Sequence, residues 1–436
     1  MTTATSPPRI VSMDQFRGFT VVGMILVNFL GGFEWFSERY PVLEHHNTYF
    51  SYADTIMPSF HFAVGFALRL VLLRRIATVG KTMAYYQAIR RNFGLILLSI
   101  VITLSGNHFD TWKKLQEAGW WGAVSSYFKV DFWGTLAIIG VTSLWVLPVI
   151  ARSFRVRLLY LLLSLGGHVV LSYWFNFDFM YNQPSAFDAV WGPSKDRGLD
   201  GGPFGILSWA VPQLIGSMAY DVVTSQPARN SFARLLLAGL VLLGLGYLSS
   251  CLSMLYPHGE PGSKDEGAIP IAQSPVLPPF SKIHELKSEA LWAEPPFFQP
   301  SEESQRELNY WLMGKRVVTL PFILCATGYA LAVYGLFVLL FDLPLVPVWQ
   351  FSFSSQTPRP LKLKILLFFV HPGVFRTFGQ NPLAAYLIHE RVGEAVGAFA
   401  PKDAPLEWVL ACFFTYFAIT YLFVRYLENH RIYLRM

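Results

Sequence analysis

Residues 12–32 read SMDQFRGFTVVGMILVNFLGG, and residues 52–69 read YADTIMPSFHFAVGFALR. A short acidic connection holding His45 and His46 runs between them. Both stretches have the length and apolar content of membrane-crossing helices. Each also carries a polar stripe that lipid alone does not tolerate. In the first, Arg17, Met24, Asn28 and Gly31 fall on one helical face. In the second, Asp54, Pro58, His61, Gly65 and Arg69 recur at steps of four, three, four and four, the period of one helix face. At about 1.5 Å per residue this stripe extends about 22 Å, most of a hydrocarbon core. Ionisable groups at that depth face protein or a watery cavity and mark a functional path. The plainer reading is that they join helices through hydrogen bonds.

The rest of the chain has the same character. Of 436 residues, 53% are hydrophobic and only 14% charged, with a mean hydropathy of +0.39. A soluble domain carries about 25% charged residues. The expectation is an all-α fold: a polytopic transmembrane helix bundle forming a single domain over 1–436, with about ten spans. The apolar segments lie at 15–33, 53–73, 88–106, 132–151, 156–175, 203–222, 232–255, 317–341, 379–398 and 406–425. Charges interrupt the ninth, and ILLFFVHPGV (365–374) just before it reads as a re-entrant or interfacial piece. No clear internal repeat argues for a repeat-built transporter. The N-terminus lacks the apolar core and cleavage site of a signal peptide, so the first span is expected to be retained. Cys251, Cys325 and Cys412 sit in apolar runs with no paired spacing and read as small buried hydrophobes.

Lys and Arg set the orientation. One side takes the N-terminus, the connections after the second, fourth, sixth and eighth segments, and the C-terminus. It holds 20 of the 34 basic residues but only 4 of the 28 acidic ones. That side is predicted cytoplasmic, with both termini on it. The net charge of +6 therefore reports membrane topology rather than nucleic-acid binding. Three larger loops fall on the outer side: 107–131 with Trp120-Trp121, 176–202 rich in aromatics, Asp and Gly, and the long proline-rich loop 256–316. The last is either a lid or partner surface, or a loose spacer. Aromatic rings and carboxylates at an outer mouth suit a sugar, while interfacial aromatic belts need no ligand.

Two constellations carry reactive groups. His45 and His46 directly precede the second helix, where Glu44 or Asp54 would orient an imidazole acting as general base. A metal would need His61 and Asp54 from a different element, so no metal is expected. Near the other end, FRTFGQNPLAAYLIHE places Asn381, Tyr386, His389 and Glu390 in or beside the ninth span. Asn381 reads as a helix cap, with Pro382 at the first helical position. With Arg376 just before it, that helix start is either a phosphate site facing the cytoplasm or an ordinary cap. The sequence holds no P-loop, no strand-borne GxGxxG, no GxSxG and no HExxH.

In order, these blocks resemble the heparan-α-glucosaminide N-acetyltransferase family. SMDQFRG, MILVNFLGG, a loop histidine and ADTIMPSFHFAVG match its N-terminal core. GPFGILS (202–208) is similar to its P-E-G-[IL]-L segment. GKRVVTLPFIL (314–324) is similar to its K-x-x-W block, and GQNPLAAYLIHE (379–390) to its G-x-N…Y-x-x-H-E block. The match departs at Phe204, which replaces a glutamate, and at Val318, which replaces a tryptophan. One residue is also missing between the loop histidine and Asp54, and NTYFSY replaces W-N-G after the histidine.

The resemblance implies a multi-pass inner (plasma) membrane enzyme that uses cytoplasmic acetyl-CoA to acetylate an amino sugar or other glycan acceptor on the far side. It implies His45 or His46 as the catalytic histidine and Asn28 as an active-site asparagine. His389 is a further candidate, and Asp54 and Glu390 would orient the imidazoles. On the donor side, Arg17, His61, Arg69, Arg376, Asn381 and Tyr386 are the expected cofactor-binding residues. The expected partners are the lipid bilayer and the acceptor, with a homodimer left open and no nucleic acid. A transporter or exporter for a polar solute, with the stripes lining its path and no chemistry, is the alternative. Solute flux independent of acetyl-CoA distinguishes it.

Overall fold

The computed structural model describes residues 10–104, 109–184, 200–256, 270–284, 288–300, 306–343 and 373–434. Among them the regular structure is helical, with one isolated parallel bridge between Ile271 and Leu308. The longer helices are α1 (Val11–Leu30), α2 (Ile56–Val79), α3 (Lys81–Leu104), α4 (Trp112–Lys129), α5 (Thr135–Ile150), α6 (Phe154–Leu171), α7 (Gly202–Ser225), α8 (Ala228–Ser250), α9 (Leu320–Phe341), α10 (Val374–Gln380), α11 (Pro382–Gly397) and α12 (Leu406–Asn429).

Six helical segments among the described residues are long and apolar enough to cross a membrane, those containing α2, α6, α7, α8, α9 and α12. The bent pair Trp112–Trp133 and Thr135–Ile150 makes seven if it is one span. The remaining expected spans start from more polar helices. α1 holds Asp14, Gln15 and Arg17, α3 holds Arg90, Arg91 and Asn92, and α11 is 16 residues long with Glu390, Arg391 and Glu394. Protein buries 61–67% of the most apolar stretches of α2, α7 and α9, but only 22–28% of those of α6, α8 and α12. The latter present Leu159, Leu163, Leu237, Leu245 and Leu422 outward, as helices facing lipid do. The piece 365–372 lies outside the described residues.

The chain divides into two compact units. Unit 1 joins Met1–Glu44, Val222–Ala238 and Ala330–Arg435; unit 2 joins His45–Asp221 and Gly239–Tyr329.

In unit 1, α1 packs against α10, α11 and α12. A Cβ on Gly18 would lie 1.7 Å from the Phe375 carbonyl oxygen, and one on Gly379 would lie 1.8 Å from that of Asp14. Two glycines thus bring α1 and α10 to backbone contact, the close approach that small residues permit in membranes. Asn381 holds the cap position before Pro382, as expected, but its amide does not cap. It donates to the Ile432 carbonyl at 3.0 Å and accepts from the Leu434 N–H at 3.1 Å, tying down the C-terminal tail.

In unit 2, α2 packs on α3 and α5, and it meets α7 through the same device. A Cβ on Gly65 would lie 1.9 Å from the Gln213 carbonyl oxygen, and one on Gly216 would lie 2.0 Å from that of Phe62. The region read as an outer loop at 107–131 is largely α4. Thr111 caps it by accepting from the Lys114 N–H at 3.3 Å. Its described residues are too polar to span alone, and it lies at 81° to α5. The described parts of 256–316 are folded rather than loose. Tyr256 donates to the Ser274 and Pro275 carbonyls, Trp311 donates to that of Val276, and Arg306 pairs with Glu294 at 2.6 Å. Val276, Tyr310 and Val317 bury themselves with Phe177, Phe179 and Met180.

Candidate functional site

The connection 45–55 in unit 2 carries the reactive pair. Ser51 begins the turn into α2: its N–H and hydroxyl both donate to Asp54 Oδ2, at 3.2 and 2.9 Å. This fixes a carboxylate that is fully buried. Asp54 Oδ1 accepts from His45 Nδ1 at 2.8 Å. A carboxylate acceptor on Nδ1 places the ring proton there and leaves the lone pair on Nε2. His45 itself is 47% exposed, so that lone pair is reachable. His46 is held differently. The Tyr49 hydroxyl meets its Nε2 at 2.6 Å and the two rings stack at 4.1 Å.

On the open side of His45 stands a residue the sequence reading left unused. Lys315 Nζ lies 3.4 Å from His45 Nε2 and 3.1 Å from Asp200 Oδ1. The only sequence signal for it is its place as the lysine of the block resembling K-x-x-W. Arg316 donates from Nε to the Met180 carbonyl at 2.8 Å and sits over the Tyr181 ring, and its N–H donates to Asn47 Oδ1 at 3.1 Å. The Lys315 segment is thereby fastened to the histidine loop. Burial pushes the Tyr181 hydroxyl up to about 12 against the opposing pull of Arg316, so it stays a neutral donor at neutral pH.

Further along α2, the polar stripe faces protein: Asp54, Pro58, His61 and Gly65 are all buried. His61 stacks on Trp209 at 4.7 Å, and its Nδ1 meets Gln213 Nε2 at 3.2 Å. Gln213 in turn accepts from Ser143 at 3.3 Å. Arg69 pairs with Asp221 at 2.5 Å and donates to the Ile150 and Arg152 carbonyls at the end of α5, at 2.5 and 3.3 Å. Arg157, fully buried, pairs with the same Asp221. Two guanidinium groups therefore share one carboxylate.

Unit 1 holds the second constellation. Asn28 and His389 line a cavity of about 400 Å³ with Phe29, Glu390, Lys402 and Tyr416 among its walls. His389 Nδ1 lies 2.6 Å from the Tyr386 carbonyl, which has only lone pairs, so Nδ1 carries the proton. Nε2 then accepts from Asn28 Nδ2 at 3.3 Å. The Tyr386 carbonyl orients this ring, whereas Glu390 is exposed on the cavity wall. The ring has no N–H left to give, and what faces the exposed side is Asn28, with its carbonyl oxygen and second amide hydrogen. Among the remaining expected residues, Arg17 pairs with Asp14 at 3.6 Å. Arg376 is half-buried on α10.

The groups gathered here suit proton transfer and charge stabilisation, and no group of three or more His, Cys, Asp or Glu that would hold a metal occurs among the described residues. Comparison with known proteins points the same way. A family model, heparan-alpha-glucosaminide N-acetyltransferase, catalytic, matches residues 9–249, more than half of the chain. The matched span includes Asn28, His45, Asp54 and Asp200, while Lys315 and His389 lie beyond it. No curated protein matches the chain. The chain belongs to the heparan-α-glucosaminide N-acetyltransferase catalytic family, and so to the membrane-embedded acetyltransferases.

Proposed function

We propose that the protein moves an acetyl group from cytoplasmic acetyl-CoA to an amino sugar or other glycan acceptor on the outer side of an inner (plasma) membrane. It acts as a single ten-span domain with both termini in the cytoplasm. The observation that carries this reading is the buried Asp54 carboxylate on His45 Nδ1, just before the N-terminal end of α2. It leaves a reachable Nε2 lone pair, the arrangement a general base requires. His45 takes the proton of the attacking amine or hydroxyl, and Asp54 orients the ring and stabilises its charged form. His46, engaged by Tyr49, is the weaker candidate.

The cavity beside Asn28 and His389 suits a polar ligand, with Asn28 exchanging hydrogen bonds and His389 holding it in place. The donor's phosphates need cations. Arg376 carries no described ion pair, whereas Arg69 already has Asp221 and the end of α5, and Asn381 has the C-terminal tail. Arg376 therefore fits the phosphates best, with Arg17 and Tyr386 of the same unit as further donor-side candidates. His61, buried against Trp209 and Gln213, is the donor-side candidate on α2.

The test uses proteoliposomes loaded with glucosamine-type acceptors, labelled acetyl-CoA added outside, and the variants His45→Ala, His46→Ala, Asn28→Ala and Asp54→Asn. His45→Ala and Asp54→Asn are expected to lose roughly 100-fold or more in kcat, with His46→Ala affected least. Unchanged transfer in His45→Ala and Asp54→Asn sinks the assignment. Acetyl-CoA is also expected to raise the melting temperature of the wild-type protein.

A further inference from the structure

Lys315 is presented by backbone under visible strain. Val318, three residues on, is a buried β-branched residue with φ at 58°, a left-handed conformation that such a side chain adopts only under strain. The opposing segment, Asp200-Gly201-Gly202, has φ values of 62°, 96° and 60°. A Cβ on Gly201 would lie 2.8 Å from Val318 Cγ2, so the two segments are pressed together.

Hydrogen bonds over-determine both. The Gly201 N–H donates to the Arg316 carbonyl at 2.9 Å, and Ser208 donates to that of Val318 at 2.7 Å. Trp209 Nε1 donates to the Asp200 carbonyl at 2.8 Å. Strain maintained against so many fixed contacts gathers at functional sites. What these segments hold in register is the Lys315–Asp200 pair, with side chains only 16% and 15% exposed, and the ammonium 3.4 Å from His45 Nε2.

We propose that Lys315 is the electrophilic partner of His45: its ammonium binds the carbonyl oxygen of the acyl thioester and stabilises the charge that oxygen gains. This rests on reading His45 as the general base. The acceptor nitrogen or oxygen forms a bond to the thioester carbon while its proton passes to His45 Nε2. The carbonyl π pair moves onto oxygen, beside Lys315 Nζ. When that pair returns, the C–S bond breaks, and the CoA sulfur leaves as thiolate and takes the proton from His45. Lys315 keeps its proton throughout and acts by hydrogen bond and charge. Its partial burial makes that charge count for more than it would in water. Asp200 is a positioning residue that holds the ammonium beside the imidazole.

The test compares Lys315→Met, Lys315→Arg, Asp200→Asn and His45→Ala in the same proteoliposomes, with acetyl-CoA and with fluoroacetyl-CoA as donors. Lys315→Met is expected to lose roughly 100- to 1,000-fold in kcat with KM for acetyl-CoA little changed, and Lys315→Arg to recover at least about tenfold of it. The electron-poor fluoroacetyl carbonyl needs less help. The Lys315→Met deficit should therefore shrink about tenfold with that donor, while the His45→Ala deficit should not. A merely structural lysine gives equal deficits with both thioesters, and that result overturns the proposal. Full activity in Lys315→Met with His45→Ala inactive also overturns it, leaving the base intact, whereas full activity in both overturns the base assignment as well. If Lys315→Met does not reach the membrane, Lys315→Arg and Asp200→Asn decide by the same donor comparison.

Discussion

At the scale of single residues, partners decide roles that residue type leaves open. His45 and His46 are adjacent and chemically identical, yet one faces a buried carboxylate and the other a tyrosine hydroxyl. His389 is a catalytic candidate by sequence, but the Tyr386 carbonyl claims its N–H, so the open polar group beside it is Asn28. Arg69 reads from sequence as a free cation near the cytoplasm; in the fold it shares Asp221 with the buried Arg157. Asp221→Asn would leave two largely buried guanidinium groups without a counter-charge. It is expected to lower stability by roughly 3 kcal/mol or more, read as a fall in melting temperature in detergent. Asp110 makes the contrasting case. The Lys114 hydrogen bond and charge hold its carboxyl below the usual range, but both side chains are exposed. Asp110→Asn is expected to leave the melting curve unchanged, because water screens the pair.

At the scale of elements, the helices were legible because apolar length is a local property, while their interfaces were not. The polar stripe singles out Gly65, but nothing in the sequence separates Gly216, which presses α7 into backbone contact with α2, from Gly166 on α6, whose added Cβ meets nothing within 4 Å. Gly65→Ala and Gly216→Ala are each expected to cost about 2 kcal/mol or more, since the obstructing atoms are backbone and cannot turn aside. Gly166→Ala is expected to be neutral or slightly stabilising through helix propensity. Thermal melting of the three proteins side by side checks this, and equal shifts would contradict the packing. The cap at Asn381 teaches the same lesson. The position was readable from Asn-Pro, but the amide's partners come from the chain's last residues, about fifty positions away.

At the scale of the molecule, the proposed topology is open to direct measurement. A green fluorescent protein fused after Met436 is expected to fluoresce, and a cysteine introduced at Lys282 in the outer loop is expected to react with a membrane-impermeant maleimide in intact cells; the reverse pattern would invert the orientation. The sequence by itself determined the helical class, the membrane solvent, the family and the stretch holding Asn28, His45 and Asp54, because hydropathy and short motifs are carried by neighbouring residues. It also offered Asp54, beside Glu44, as the partner of a loop histidine, since Asp54 stands nine positions after His45. The tertiary structure alone decided that Lys315 and Asp200, 115 residues apart, stand beside that histidine. It likewise decided that Arg69 and Asn381 spend their hydrogen bonds within the protein. Charge pairing and hydrogen-bond completion in a low-dielectric interior are settled by which groups meet in space, and sequence distance carries no record of that.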